Sequence, residues 1–348
     1  MTNLQDFLAG LDPKTAKRIK TAQETEIERL PLASYSLTEA LGGGVAKGRF
    51  SLFYGNQSAG KSLLFQESVG KLWQPSGQVC AWVDAEGAYD KEWAKRLGVN
   101  NDELILIHSK SSGKIEKELV PLIEGGIDVI VIDSISDIMP ETFIGKDGSM
   151  NEQVDRKQLG AHAKAITALL NGLSYVNENT AIILLSQTTT KIANTYIQFI
   201  PHGGQKTLFA SSQIVKLTSS NTDANQIKGD LYVGDKIFER PIGRKVEAFV
   251  EKNKLGKAHE TAEYDMYYAG KTVGIDLVGE VVDEAIKFDV VEKKGGWFYF
   301  GEEKWQGRPA VVSYFHENPE SVELAKKQIH VRKTGELDDA TMESAQAF

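Results

Sequence analysis

Short, uninterrupted apolar runs recur along the first half of the chain, at 50–54, 79–83, 104–107, 129–132 and 181–185. Each is too short for a buried helix and lacks the alternation of a half-exposed strand, so each predicts a strand covered on both faces. The stretches between them are long enough for helices, 62–70 among them, which predicts a mostly parallel sheet with helices on its faces. Later runs at 214–217, 246–250 and 262–268 lie closer together and alternate more, predicting an antiparallel extension. At the N-terminus, Asp12-Pro13 pairs a capping residue with proline at the first helical position, opening a charged helix that runs to about Arg29.

Beyond Val273 the texture changes. Gly295-Gly296 before Trp297-Phe298-Tyr299-Phe300, and a helix start at Asn318-Pro319, predict a small α/β appendage ending near Arg332. The stretch 334–348 carries acids and no base, which predicts a disordered tail. The expected division is an N-terminal helix and linker at 1–32, a core at 33–272, the appendage at 273–333 and the tail at 334–348.

Charge narrows the function. A net charge of −8 over 348 residues argues against coating nucleic acid by bulk electrostatics, so any DNA site must be a local one. The basic residues Lys293, Lys294, Lys304, Lys326, Lys327 and Arg332 in the appendage offer such a patch, or simply a solvated face. Cys80 is the single cysteine and lies in an apolar run, the pattern of a core thiol in a reducing compartment. No basic leader precedes an apolar segment and no run is long enough to span a bilayer, so a cytoplasmic protein is expected. The 6 histidines show no metal-ligand pairing, which argues against a zinc site.

The chemistry centres on Gly55-Asn56-Gln57-Ser58-Ala59-Gly60-Lys61-Ser62, which fits the phosphate-loop pattern G-x-x-x-x-G-K-[ST] between a predicted strand and a predicted helix. Backbone N–H groups there can wrap a polyphosphate at a helix N-terminus. Lys61 supplies charge to the phosphates and the Ser62 hydroxyl is a Mg²⁺ ligand, so ATP with Mg²⁺ is the expected pair. Asp133 ends a buried strand, where a carboxylate can hold the metal shell or merely cap the next turn. Glu86 follows another buried strand and can act as a general base on the attacking water, or serve as a solvated loop acid.

Taken together these motifs resemble the RecA family of DNA strand-exchange recombinases over nearly the whole chain. The resemblance is carried by Gly48-Arg49-Phe50 into the phosphate loop, Asp84-Ala85-Glu86 with Asp90 and Trp93, Ser186-Gln187, Gly203-Gly204, Lys252-Asn253-Lys254, and the segment 295–318. The longer polar loop with Asn151-Glu152 is more similar to the bacteriophage-encoded, UvsX-like recombinases. The resemblance implies a RecA-like P-loop ATPase core with a mostly parallel central sheet, an N-terminal oligomerisation helix and a small α/β C-terminal domain. It implies that Glu86 activates water, Asp90 and Trp93 meet the adenine, and Asp133 associates with Mg²⁺. Gln187 would sense the γ phosphate and open the second DNA loop, while Lys252 and Lys254 would reach the neighbouring subunit's ATP.

Two DNA loops are implied, at about 141–157 and 188–204. Lys146, Lys191, Tyr196, Phe199, Gly203 and Gly204 are their candidate contacts, and Phe209 falls at a subunit-contact position. Gly203-Gly204-Gln205-Lys206-Thr207-Leu208-Phe209 departs from the family's usual Gly-Gly-x-Ala-Leu-Lys-Phe, and no arginine follows Gln187. The implied function is ATP-dependent filament formation on single-stranded DNA, pairing with homologous double-stranded DNA, and strand exchange. Single-strand-binding and loader proteins are the further partners, in the nucleoid or an infected host's cytoplasm. A hexameric helicase on the same core and a non-catalytic ATP-binding regulator are the competing readings.

Overall fold

A computed structural model describes residues 26–143, 160–193, 196–219, 222–233, 236–270 and 273–335, with Phe7, Gly10 and Asp12 besides. The chain begins with β1 (Arg29–Leu30), α1 (Tyr35–Ala40), β2 (Val45–Ala46), β3 (Phe50–Gly55) and α2 (Lys61–Ser68), which runs into a π-helical stretch, Val69–Trp73. Then come β4 (Cys80–Asp84), α3 (Lys91–Arg96), β5 (Leu104–Ile107), α4 (Ser112–Glu124) and β6 (Val129–Asp133). A short 3-10 turn, Glu141–Phe143, precedes α5 (Ala161–Val176), β7 (Ala181–Ala193), β8 (Tyr196–Pro201), α6 (Gly204–Ala210) and β9 (Ser211–Thr218). The chain continues with β10 (Gln226–Val233), β11 (Lys236–Asn253), β12 (Thr261–Tyr267) and β13 (Gly274–Ile275). It ends in α7 (Leu277–Lys287), β14 (Glu292–Lys294), β15 (Trp297–Phe300), β16 (Glu303–Gln306), α8 (Arg308–Glu317) and α9 (Pro319–Thr334).

The main sheet runs β13-β12-β11-β9-β3-β7-β6-β4-β5. From β5 to β9 all neighbours are parallel, and from β9 to β13 all are antiparallel. Side chains of β3 alternate between two cores, as the strand period requires. Phe53 packs against Phe65 on one face, with Trp73 beyond it, while Leu52 and Tyr54 join Leu119 and Leu169 on the other. Cys80 lies in the first of these cores with no exposure, and burial, together with the charge of Asp128, pushes its thiol up to about 12.

Three sequence expectations are corrected here. The run at 214–217 is antiparallel on one side only: β9 pairs antiparallel with β11 but parallel with β3, because α6 carries the chain back to the end of the sheet where β3 starts. The run at 104–107 is not covered on both faces. β5 is the outer edge with β4 as its one partner, and Ile105 and Leu106 are each 37% exposed. The helix expected to reach about Arg29 does not cover 26–30, since residues 26–28 are irregular and Arg29–Leu30 is a strand paired with β2; positions 13–25 lie outside the described residues.

Helices α7 to α9 and the sheet β14-β15-β16 enclose a separate small core around Val282, Phe298 and Phe315. A buried carboxylate ties it to the main sheet's flank. Glu280 accepts hydrogen bonds from the hydroxyls of Ser34 (2.6 Å) and Ser36 (2.5 Å) and from the backbone N–H groups of Tyr35 (3.1 Å) and Ser36 (2.9 Å). The tail beyond 335 lies outside the described residues. Among the described residues no helix is long and apolar enough to cross a membrane.

Candidate nucleotide site and the adjoining hairpin

The phosphate loop joins β3 to α2, at the edge where the parallel strands end. Gly60 sits at φ 88°, a left-handed conformation that favours glycine, and a Cβ there would lie 2.4 Å from the Met266 sulfur. The loop is therefore pressed against β12 with no room for a side chain. A cavity of about 670 Å³ opens here, lined by residues 57–63 of the loop and α2, by Glu86, Trp93, Asp133 and Gln187, and by Arg244, Met266 and Tyr268.

Parallel register aligns the acids. Asp84 and Asp133 are paired at the ends of β4 and β6, and the Asp133 carbonyl accepts from the Ala85 and Glu86 N–H groups at 2.8 and 3.2 Å. Asp84 shapes the loop that carries Glu86, accepting from the N–H groups of Gly87 (2.8 Å), Ala88 (3.0 Å) and Tyr89 (3.2 Å). This support was not assigned from sequence, although the Asp-Ala-Glu-Gly spelling of a turn carried the signal. The Ser62 hydroxyl donates to Asp133 Oδ2 at 2.7 Å, which puts both expected metal ligands on one point.

Electrostatics at that point favour a cation. Burial pushes the Asp133 carboxyl up to about 6; the Ser62 hydrogen bond and Lys61 work against this, and Glu86 and Asp84 reinforce it. Burial likewise holds the Lys61 ammonium below the usual lysine range, against the pull of Asp133 and Glu86. Lys61 Nζ spends its donors on the carbonyls of Gly55 and Asn56, each at 2.9 Å. An oxygen-ligated divalent cation beside a polyphosphate fits this donor set, because it neutralises the crowded acids while the phosphates take over the lysine. Among the described residues no cluster of three or more His, Cys, Asp or Glu is placed to hold a metal without such a ligand.

The adenine candidates divide. Trp93 lines the cavity with the Arg96 guanidinium 5.2 Å from its ring centre. Asp90 does not line the cavity; its carboxylate caps α3, accepting from the N–H groups of Glu92 (2.8 Å) and Trp93 (3.0 Å). Its visible work is thus to aim Trp93.

Gln187 faces the cavity, but the strand does not end there, and the segment expected to form a second DNA loop is largely a pair of strands. β7 continues to Ala193 and turns back as β8, with Thr188 opposite Pro201, Lys191 opposite Gln198 and Thr190 opposite Phe199. Tyr196 is paired with Ala193 near the turn. The β-branched run Thr188-Thr189-Thr190 and the aromatic and β-branched residues of 196–200 carry strand propensity that the polar residues around them concealed. Gly55 and Gln187 are register partners, and the Thr188 hydroxyl donates to the Asn56 side chain at 2.7 Å. Phosphate loop and hairpin are therefore in direct contact.

Other candidates lie elsewhere. Gly203 (φ 98°) and Gly204 (φ 75°) form the hinge between the hairpin and α6. Lys252 and Lys254, at the end of β11, do not line the cavity. Lys252 Nζ donates to the Leu208 carbonyl at 2.6 Å, and burial with the Lys254 charge lowers its ammonium from the ordinary range. The next residue, Phe209, is 69% exposed. Of the first DNA loop, positions 144–157 lie outside the described residues, Lys146 among them.

Comparison with known proteins accords with this geometry. A family model described as the RecA N-terminal domain matches residues 13–274, and one described as the RecA C-terminal domain matches 279–333. The chain is 32% identical over 337 residues to a protein RecA of Campylobacter jejuni subsp. doylei, covering 94% of this chain and 92% of that one. To the protein RecA of Thermus aquaticus it is 31% identical over 337 residues, covering 94% and 93%. To that of Rickettsia canadensis it is 32% identical over 313 residues, covering 89% and 85%.

Proposed function

This chain belongs to the RecA family, a DNA-dependent ATPase with strand-exchange activity, and from that premise we propose how its residues divide the work. Residues 33–272 are the ATPase core and 273–333 the small C-terminal domain, with 1–32 as the oligomerisation segment. Residues 55–62 hold the polyphosphate, with Lys61 as the charge nearest the terminal phosphates. Ser62 and Asp133 hold Mg²⁺, which when bound neutralises charge on the leaving group. Glu86, on a loop stiffened by Asp84, accepts the proton of the attacking water. Trp93 stacks on the base, aimed by Asp90.

The observation that carries this reading is the convergence of Ser62, Asp133, Glu86, Lys61 and Gln187 on one cavity, from the start of α2, the ends of β4 and β6, and the middle of β7. Filament formation brings Lys252 and Lys254 to a neighbour's site, as charge supplied in trans. The hairpin 188–201 is the DNA element, and its contact with Asn56 passes nucleotide state to it. The bacteriophage character is likewise proposed, on the strength of the 141–157 loop.

Electron microscopy with single-stranded DNA and a non-hydrolysable ATP analogue tests the assignment. Open helical filaments are expected from the native chain and none from Lys61→Ala. Closed rings would favour the helicase, and filaments of Lys61→Ala would remove the phosphate-loop role.

A further inference from the structure

Arg244 is a cation in the nucleotide cavity that the motifs do not account for. It sits on β11 at the base of the β10–β11 hairpin, paired with Gln226 on one side and Met266 on the other. The sheet order folds this position across to the phosphate loop, 186 residues away in sequence from Ser58. Arg244 Nη1 donates to the Ser58 carbonyl at 3.3 Å, a long bond, and its guanidinium lies 5.2 Å from the Tyr268 ring centre.

Two facts separate it from a structural arginine. Its Nε–H is buried and has no hydrogen-bond partner, a costly state for a charged group. Among the described residues no carboxylate lies within ion-pair distance of it; Glu86 and Asp133 line the same cavity without forming a bridge to it. A guanidinium held by an aromatic face, with a donor unspent and no counter-charge, is a site waiting for an anion.

We propose that Arg244 is a second phosphate-binding cation of the nucleotide site, acting in cis from the β11–β12 wall while Lys61 acts from the loop. The proposal rests on the nucleotide-site reading above and adds a residue to it. Its ligand class is the polyphosphate of a nucleoside di- or triphosphate. Because Ser58 belongs to the phosphate loop, a guanidinium bonded to its carbonyl is already alongside the chain that wraps the phosphates. Arg244 is thus distinct from Lys252 and Lys254, which the cavity does not include.

The competing role is a prop, with Arg244 merely bracing Ser58. Arg244→Gln separates the two, since the amide retains a donor for the Ser58 carbonyl and loses the charge. Isothermal titration of the full-length chain with ADP and with a non-hydrolysable ATP analogue, without DNA, is the measurement. Arg244→Gln should weaken both by about tenfold to hundredfold, as for a hydrogen bond to a charged group, and flatten the salt dependence of binding. Arg244→Lys should recover part of the affinity. Native affinity and an unchanged salt slope in Arg244→Gln would overturn the proposal. So would a lower melting temperature of the nucleotide-free Arg244→Gln and Arg244→Lys proteins alike, which would mark a prop. Lys61→Ala is run beside them: if it too binds ADP normally, the nucleotide-site reading itself has failed.

Discussion

Phe209 offers the sharpest test of assembly, because its energetic worth can be worked out before any partner is seen. The ring is 69% exposed on a short helix, so its own subunit gains little from it. A phenylalanine side chain presents ~200 Å², and covering the exposed share, ~140 Å², at ~25 cal/mol per Å² is worth up to about 3.5 kcal/mol. Allowing for incomplete burial leaves about 2 to 3 kcal/mol per subunit contact, or roughly 30- to 150-fold in the critical concentration for assembly. Phe209→Ala should therefore raise that concentration at least ~30-fold in sedimentation or light scattering with a non-hydrolysable ATP analogue. Thermal unfolding of the dilute, unassembled chain should shift by no more than about 0.5 kcal/mol, as at an ordinary surface position. Unchanged assembly would refute the contact. A destabilised monomer that assembles normally would place the work of Phe209 inside its own subunit.

Other outcomes follow from the site and from the buried Glu280 carboxylate. Glu86→Gln should hydrolyse ATP at least roughly a hundredfold more slowly while its filaments last longer; an unchanged rate in a coupled phosphate assay would move the base elsewhere. ATP and single-stranded DNA should each tighten the other's binding by one factor, and Gln187→Ala should erase that factor with ATP affinity nearly intact. Fluorescence anisotropy with ADP and with an ATP analogue checks this, and an undiminished difference would make Gln187 a structural residue. Glu280 carries a pH signature, since burial pushes its carboxyl up to about 7 despite the donors of Ser34, Ser36 and Tyr35. Between the ordinary carboxylate range and pH 7 the native state keeps a proton that the unfolded chain has lost, so stability falls as pH rises through that window and levels off above it. Glu280→Gln should gain up to about 3 kcal/mol relative to the native chain between pH 4.5 and pH 8 in urea unfolding. Parallel curves would contradict it.

The parts of the molecule that sequence revealed are those in which chemistry and strand ends coincide. Gly55 to Ser62 announces itself, and Asp133 and Glu86 follow because buried strands are easy to read and parallel strands deliver their ends to one edge. The hairpin was concealed because Thr188 to Ala193 is polar enough to pass for a loop, although its β-branched residues favoured a strand. The parallel pairing of β9 depends on how α6 returns the chain, which no local pattern encodes. Arg244 was invisible for a different reason. In Gly243-Arg244-Lys245 it looks like one of two solvated bases, and only the sheet order β11-β9-β3 carries it to the phosphate loop. Asp90 shows the converse, a residue whose position in a motif is legible while its carboxylate is engaged in holding a neighbour.

The burial of Cys80 makes the chain a convenient host for optical reporters. It is the sole thiol in the sequence, it is fully enclosed, and its elevated pKa leaves almost no thiolate at neutral pH. A maleimide dye should pass the native protein by, so a cysteine introduced at a chosen surface position becomes the single point of attachment without first removing the natural one. A fluorophore at Tyr175, which is 92% exposed on α5, and a second at Trp297 in the appendage would turn the distance between core and C-terminal domain into a colour ratio. Filament growth could then be watched one subunit at a time, on a protein whose interior packing is untouched.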